Sequence, residues 1–312
     1  MVPEPAVEIT GLTMRYGATV AVDDLSLRVE RDSVTAVLGP NGAGKTTTLE
    51  TCEGYRRPQA GVVRVLGLDP VRQRRELLPR IGVMLQAGGA WSGVRAAEML
   101  AHVASLHAHP LDVGMLSDRL GLAECGRTPY RRLSGGQQQR LGLAMAVVGR
   151  PELVFVDEPT AGMDVGARHA TWELLRELRE AGVTVVLTTH YLEEAERLAD
   201  RVHIIDHGRL IASGSPLELT RGGSHATIRL VVTEPFPPSA PESLRAALGA
   251  GIEVLPVDAY SLVISGPADA TTLGKVSRWC EENGVLPESL NLGQRNLEDV
   301  FLELTGRPLE TA

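Results

Sequence analysis

The stretch GPNGAGKTTT, Gly39 to Thr48, directly follows the apolar run SVTAVL and constrains the fold more than any other segment. An apolar strand, a glycine-rich turn and a helix-forming segment together aim successive backbone N–H groups, and a helix's positive end, at one point. That point suits a phosphate. Gly39, Gly42, Gly44, Lys45 and Thr46 fill the pattern GxxxxGK[ST], in the strand-turn-helix setting it requires. In such a loop the lysine bridges the β- and γ-phosphates of a nucleoside triphosphate and the Thr46 hydroxyl ligates Mg²⁺. Only Lys45 and Lys275 are lysines among 31 basic residues, so a lysine inside the glycine loop is not filler.

The chain's 312 residues, 43% of them hydrophobic, are enough for two ordinary domains with real cores. A net charge of −8 argues against broad contact with nucleic acid, which needs a clustered basic surface. Cys52, Cys125 and Cys280 are odd in number and far apart, so neither a disulfide framework nor a zinc site is expected, and a reducing cytoplasm fits. The opening MVPEPAVEIT has no apolar core like that of a signal peptide, and no uncharged apolar run approaches the ~18 residues of a membrane span. Any membrane role is expected to come through a partner.

Up to about residue 70 the pattern is β-rich, with AVEITGLTMRYG, AVDDLSLRVE, SVTAVLGP and GVVRVLG set between turn residues. Helices are expected from Ala96 to about Ala108 and from Gln137 to Val148. Then follow the strand ELVFVDEP, the helix ARHATWELLRELREAG, the strand VTVVLTTH and the helix YLEEAERLADR. Alternation of this kind implies a parallel sheet whose active edge lies at the C-terminal ends of its strands. A linker begins near residue 214, dividing a domain at 1–218 from one at 219–312. The second reads β-α-β-β-α-β with an extra helix, compatible with a ferredoxin-like α+β sandwich.

A bound triphosphate with Mg²⁺ needs a carboxylate at the end of a neighbouring strand, and LVFVDEP supplies Asp157. Glu158 points the other way if the strand continues, so Asp157 is expected to hold the metal and Glu158 to polarise an attacking water. In LSGGQQQR, Leu133 to Arg140, Ser134 is a good N-cap, and the helix start after it is a second anion site. One active site rarely needs two phosphate cradles. His102, His107 and His109 do not converge on one metal, and VRQRRELLPR reads as a solvated helix face or a contact with lipid head groups.

Taken together, GPNGAGKTT, LSGGQQQR, LVFVDEP, AGMD and TTH resemble the nucleotide-binding subunit of ATP-binding cassette (ABC) transporters, across about residues 1–218. The resemblance implies an α/β phosphate-loop NTPase core with an antiparallel β subdomain and a helical subdomain. It also implies ATP and Mg²⁺ as ligands and a head-to-tail pair in which each signature helix caps the γ-phosphate held by the other copy. On that basis the ATP-binding set is Tyr16, Gly39, Pro40, Asn41, Gly42, Ala43, Gly44, Lys45, Thr46 and Thr47, with Ser134, Gly135, Gly136, Gln137 and Asp164. Tyr16 stacks on adenine, Gln86 senses the metal and the attacking water, Asp164 communicates between sites, and His190 contacts the γ-phosphate. Catalysis falls to Glu158, His190 and Gln86; Mg²⁺ falls to Thr46, Gln86 and Asp157.

The implied partners are an integral membrane permease, at the cytoplasmic face of the membrane, and a second ATP-binding subunit, expected to be a second copy; nucleic acid is not expected. NLEDVFLELTG resembles the ending of daunorubicin-type drug-resistance exporter ATPases, although its apolar spacing is also that of any amphipathic helix. AGGAWSGV departs from the commoner family wording, with Trp91 and Val94 suited to a permease-docking groove. Relatives that act on DNA carry a long coiled coil between loop and signature, and ribosome-acting ones carry two cassettes with basic tails. Here Lys45 and Ser134 are separated by no heptad run, and the chain has one cassette and is acidic.

Overall fold

The computed structural model describes residues 4–85, 89–221, 226–266, 269–307 and 309. They form two compact units, the first running to Ser213 and the second beginning at Gly214. The first unit opens with β1 (Val7–Tyr16), β2 (Thr19–Val29), β3 (Val34–Leu38), α1 (Lys45–Cys52) and β4 (Ala60–Val65). A short α2 (Arg74–Leu77), β5 (Ile81–Met84), α3 (Ala96–Ser105), α4 (Val113–Arg119) and α5 (Gly135–Val147) follow. The unit ends with β6 (Leu153–Asp157), α6 (Val165–Glu180), β7 (Thr184–Thr188), α7 (Leu192–Leu198), β8 (Arg201–Asp206) and β9 (Arg209–Gly214).

Two sheets divide this unit. β2, β1 and β4 make an antiparallel sheet centred on β1, while the order β5-β6-β7-β3-β8-β9 makes the larger one. Its neighbours from β5 through β8 pair in parallel. β3 and β7 are buried at every residue, as expected for central parallel strands covered on both faces. Leu12, Val22 and Leu25 of the antiparallel sheet pack with Leu49 of α1 and with Val37, Phe155 and Ile205 of the larger sheet, so one core holds both sheets against the helix. β3, β6 and β7 are adjacent and parallel, so Gly39, Glu158 and Thr189 leave the same sheet edge.

The turn from β3 into α1 depends on glycine for two reasons. A Cβ at Gly39 would sit 2.2 Å from the Ile205 carbonyl oxygen, and one at Gly44, where φ is +100°, would sit 2.4 Å from that of Ala21. Gly42 also has a left-handed φ of +79°, but a side chain there would meet open space.

The second unit holds α8 (Pro216–Arg221), β10 (Thr227–Val232), α9 (Ala240–Leu248), β11 (Glu253–Pro256), β12 (Ser261–Ser265), α10 (Ala270–Glu282), β13 (Pro287–Gly293) and α11 (Leu297–Thr305). Its sheet runs β11-β12-β10-β13 and is antiparallel throughout, which is the split arrangement expected from β-α-β-β-α-β order. Ile228 and Leu230 pack with Leu244 of α9 and Val276 of α10, and the Trp279 indole N–H donates to Ser243 Oγ at 3.0 Å, joining the two helices. Thr227 and Arg229 alternate with those apolar residues and face the other way. There Thr227 donates to the buried Asp299 at 2.9 Å and Arg229 pairs with Glu298 at 2.9 Å, which seats α11 on the opposite face. No helix among the described residues is long and apolar enough to cross a membrane.

One buried imidazole joins the two sheets of the first unit. His203 on β8 is 2% exposed, and its Nε2–H donates to the Arg28 carbonyl of β2 at 2.9 Å. Burial, reinforced by the Arg201 charge, holds it below the ordinary imidazole value of 6.5, while the Arg28 carbonyl opposes the shift. The folded chain therefore binds this proton more weakly than the unfolded one, so its stabilising contribution is complete above that value and is lost as pH falls. His203→Gln keeps a donor without titrating, and should flatten the fall in Tm between about pH 7 and about pH 5. An unchanged slope would contradict the assignment. The loop glycines give a second comparison. Gly42→Ala should cost about 1–2 kcal/mol for its left-handed backbone, whereas Gly39→Ala must displace a strand carbonyl and should cost about 3 kcal/mol. Denaturant unfolding measures both; equal losses would rule out the close approach at Gly39.

Candidate nucleotide site

α1 begins at Lys45 with Gly44 as its N-cap, no side chain caps it, and no acid stands in its first turn. An uncapped helix start leaves N–H donors directed outward, the arrangement that binds anions. Lys45 Nζ donates to the Gly39 carbonyl at 2.6 Å and to that of Pro40 at 3.2 Å, folding the ammonium over the loop. The Ala43 N–H closes the turn onto Pro40 O at 3.1 Å, and the Ala43 carbonyl accepts from Gly208. Asn41 and Thr46 are exposed at the rim, and Thr47 is half-buried. Burial lowers the pKa of Lys45, opposed by the charges of Glu158 and Asp157, so the two acids lie within its field.

Asp157 ends β6 opposite Thr188 of β7, whose hydroxyl donates to its carboxylate. Burial raises the Asp157 pKa; the Thr188 hydrogen bond opposes this, Glu158 reinforces it and Lys45 opposes it again. Glu158 does not continue the strand. Its φ is +50°, and its N–H donates to the Thr188 carbonyl at 3.1 Å. Glu158 is therefore set by a left-handed turn and not by strand continuation, which corrects the sequence expectation. His190, two residues beyond β7, places Nδ1 3.5 Å from Glu158 Oε1. Lys45, Asp157, Glu158 and His190 thus share one edge of the sheet.

Sequence reasoning missed two members of this group. Thr188 orients Asp157, and its signal was present in the threonines just before His190. Glu53, just beyond α1, is 5% exposed, and burial together with the charges of Asp157 and Glu50 pushes its pKa up to about 7. An acid at the end of a helix that otherwise buries Leu49 and Cys52 was its only trace.

The signature lies apart from that group. Ser134 caps α5 in a reciprocal pair: its Oγ accepts from the Gln137 N–H at 3.3 Å, and the Ser134 N–H donates to Gln137 Oε1 at 2.9 Å. One first-turn donor of this expected anion site is therefore already taken by the cap itself. Gly135 is exposed, while Gly136 is buried with its α-carbon side against Gly162 and Met163 of the loop that follows Glu158. Among the described residues Ser134 and Gln137 bond to each other and to nothing in the phosphate loop. Asp164 N-caps α6, accepting from the Ala167 N–H at 2.9 Å, and that bond lowers its pKa. Tyr16 is 43% exposed at the end of β1, with the Arg56 guanidinium 5.6 Å from its ring centre. Gln86 lies outside the described residues.

A family model described as ABC transporter matches residues 22–161. The chain is 37% identical over 316 residues to the daunorubicin resistance ATP-binding protein DrrA3 of Streptomyces coeruleorubidus, covering 97% of this chain and 96% of that one. It is also 37% identical over 321 residues to the Nod factor export ATP-binding protein I of Ralstonia nicotianae, covering 98% and 95%. Among solved structures, an ATP-binding subunit of an ABC transporter aligns with a TM-score of 0.64 at 26% identity, covering 69% of this chain and 92% of that one. The phosphate loop, the acid pair beside it and near full-length relatedness to such proteins lead to one conclusion: the chain belongs to the ABC transporter family, as an ATP-binding subunit that hydrolyses ATP.

Proposed function

We propose that two copies of this chain close head to tail around two ATP molecules and so drive a permease that exports drug-like amphiphiles. The observation that carries this reading is the separation of two anion cradles within one chain. The start of α1 with Lys45, and the start of α5 capped by Ser134, are built on different elements and, among the described residues, Ser134 and Lys45 share no hydrogen bond. A triphosphate gripped on both sides then needs Ser134 and Gly136 from a second molecule. Closure follows because only ATP, through its γ-phosphate, touches both halves, which is the differential affinity that a population shift demands.

In this reading the loop amides and Lys45 hold the β- and γ-phosphates, Tyr16 stacks on the adenine, and Asp164 links the paired sites through its place at the head of α6. Glu158 orients and accepts a proton from the attacking water, and His190, held 3.5 Å from it, contacts the γ-phosphate. The donors Thr46, Asp157 and Gln86 would hold Mg²⁺, and their chemistry fits. Burial and the neighbouring Glu158 both disfavour an ionised Asp157 without a cation, and Thr46 presents a hydroxyl at the helix start. Among the described residues no cluster of three or more His, Cys, Asp or Glu forms a dedicated metal cage, as suits an ion held largely by phosphate oxygens and water. Bound there, the ion would neutralise charge on the phosphate oxygens.

The cytoplasmic face of the membrane is reached through a permease, and the surface offers a place for one. A groove of about 510 Å³ is lined by Leu85, Val103, Leu106, Tyr130 and Met145. Trp91 is 65% exposed, with its ring 5.3 Å from that of His102. Relatives that match both units are named for daunorubicin resistance and for Nod factor export, which supports export and an amphiphilic cargo.

Two variants test the chemistry. Lys45→Ala removes charge-assisted bonds to phosphate and should weaken ATP binding by about 10- to 100-fold in calorimetric titration; unchanged affinity would count against the loop assignment. Glu158→Gln should bind ATP normally, lose about 10²–10⁴-fold in turnover, and sediment as an ATP-dependent dimer. Near-normal hydrolysis by that variant would remove Glu158 from its role.

A further inference from the structure

Glu194 on α7 has no solvent exposure, and its carboxyl sits where three parts of the nucleotide site meet. The Trp172 indole N–H of α6 donates to Oε1 at 2.9 Å. The hydroxyls of Thr189 and Thr160 and the guanidinium of Arg168 also face the carboxyl; burial pushes its pKa up, and these groups with Trp172 oppose that shift. Oε2, the Thr160 hydroxyl and Arg168 Nε have no hydrogen-bonding partner in good geometry among the described residues.

Each neighbour leads to a different segment of the site. Thr189 precedes His190, and its Oγ accepts from the Tyr191 N–H at 2.9 Å, which shapes the turn that carries the histidine. Thr160 is two residues after Glu158, and its carbonyl accepts from Met163 at 3.1 Å within the segment that ends at Asp164. Arg168 lies on α6, which Asp164 caps, and stacks 4.4 Å from the Tyr191 ring centre. Packing alone would be served as well by an apolar side chain, because a buried acid is costly unless its polar contacts are needed.

We propose that Glu194 is a positioning residue for ATP hydrolysis, registering the His190 turn against the Glu158–Asp164 loop through Thr189 and Thr160. The proposal rests on the assignment of those two segments to hydrolysis. Its effect is geometric, since a misplacement of about 1 Å distant from the chemistry can cost about 10²-fold in rate.

The test uses the full-length chain, measuring kcat and KM for ATP together with Tm. Glu194→Ala should lower kcat by about 10- to 100-fold with KM changed less than about threefold. Glu194→Gln keeps an acceptor for Trp172 and should recover most of kcat. In a His190→Ala background, whose own kcat is low, Glu194→Ala should add little, because both changes act through one turn. Should Glu194→Ala not fold, Thr160→Val carries the same test, with a matching loss of kcat that adds little in the His190→Ala background. Unchanged kcat in Glu194→Ala or in Thr160→Val, or full additivity with His190→Ala, would overturn the proposal. Normal hydrolysis by His190→Ala would remove the turn from the reaction and the proposal with it.

Discussion

The ammonium of Lys45, held 2.6 Å from the Gly39 carbonyl of its own loop, is the interaction on which the site depends. It is half-buried beside two carboxylates, on a helix whose first turn has neither a side-chain cap nor an acid. Such a lysine is oriented before any ligand arrives, and exchanging carbonyl partners for phosphate oxygens trades neutral acceptors for charged ones. The loop keeps this geometry because strand backbones close around it. Ile205 of β8 blocks any side chain at Gly39, and Ala21 of β2 blocks one at Gly44, so both sheets of the first unit fix the position of the cradle.

Around that cation the charge is unevenly balanced. Asp157 and Glu158 act on one ammonium, Glu53 lies within the field of Asp157, and burial with repulsion from neighbouring carboxylates raises the pKa values of Asp157 and Glu53. A site of this kind favours added positive charge together with the polyanion it binds, which agrees with the donor chemistry of Thr46 and Asp157. The signature helix has the opposite character, with a neutral start closed by the Ser134–Gln137 pair.

Much of this was legible in the sequence because it is local. The phosphate loop is turn chemistry, and the parallel sheet follows from fully apolar strands alternating with amphipathic helices. The C-terminal unit was legible from element order alone, since a β-α-β-β-α-β chain places its first strand between the third and the fourth. What escaped depends on contacts between distant residues. The bond from Thr227 to Asp299 seats α11 across 72 residues of chain, and a helix that reads as merely amphipathic gives no sign of it. The left-handed Glu158 was missed because a strand pattern assumes continuation, and the depth of Glu53 and Glu194 was hidden because charged residues in helices normally face water.

The central claim is that one triphosphate is held by Lys45 of one molecule and Ser134 of another. Mixing two inactive chains tests it most directly. Lys45→Ala destroys one cradle and Ser134→Arg obstructs the other, so each variant alone lacks any intact composite site. A mixed pair contains one such site, assembled from the sound half of each chain. The account predicts that ATP hydrolysis, absent from either variant alone, partly returns on mixing; a mixture as inactive as its components would contradict it.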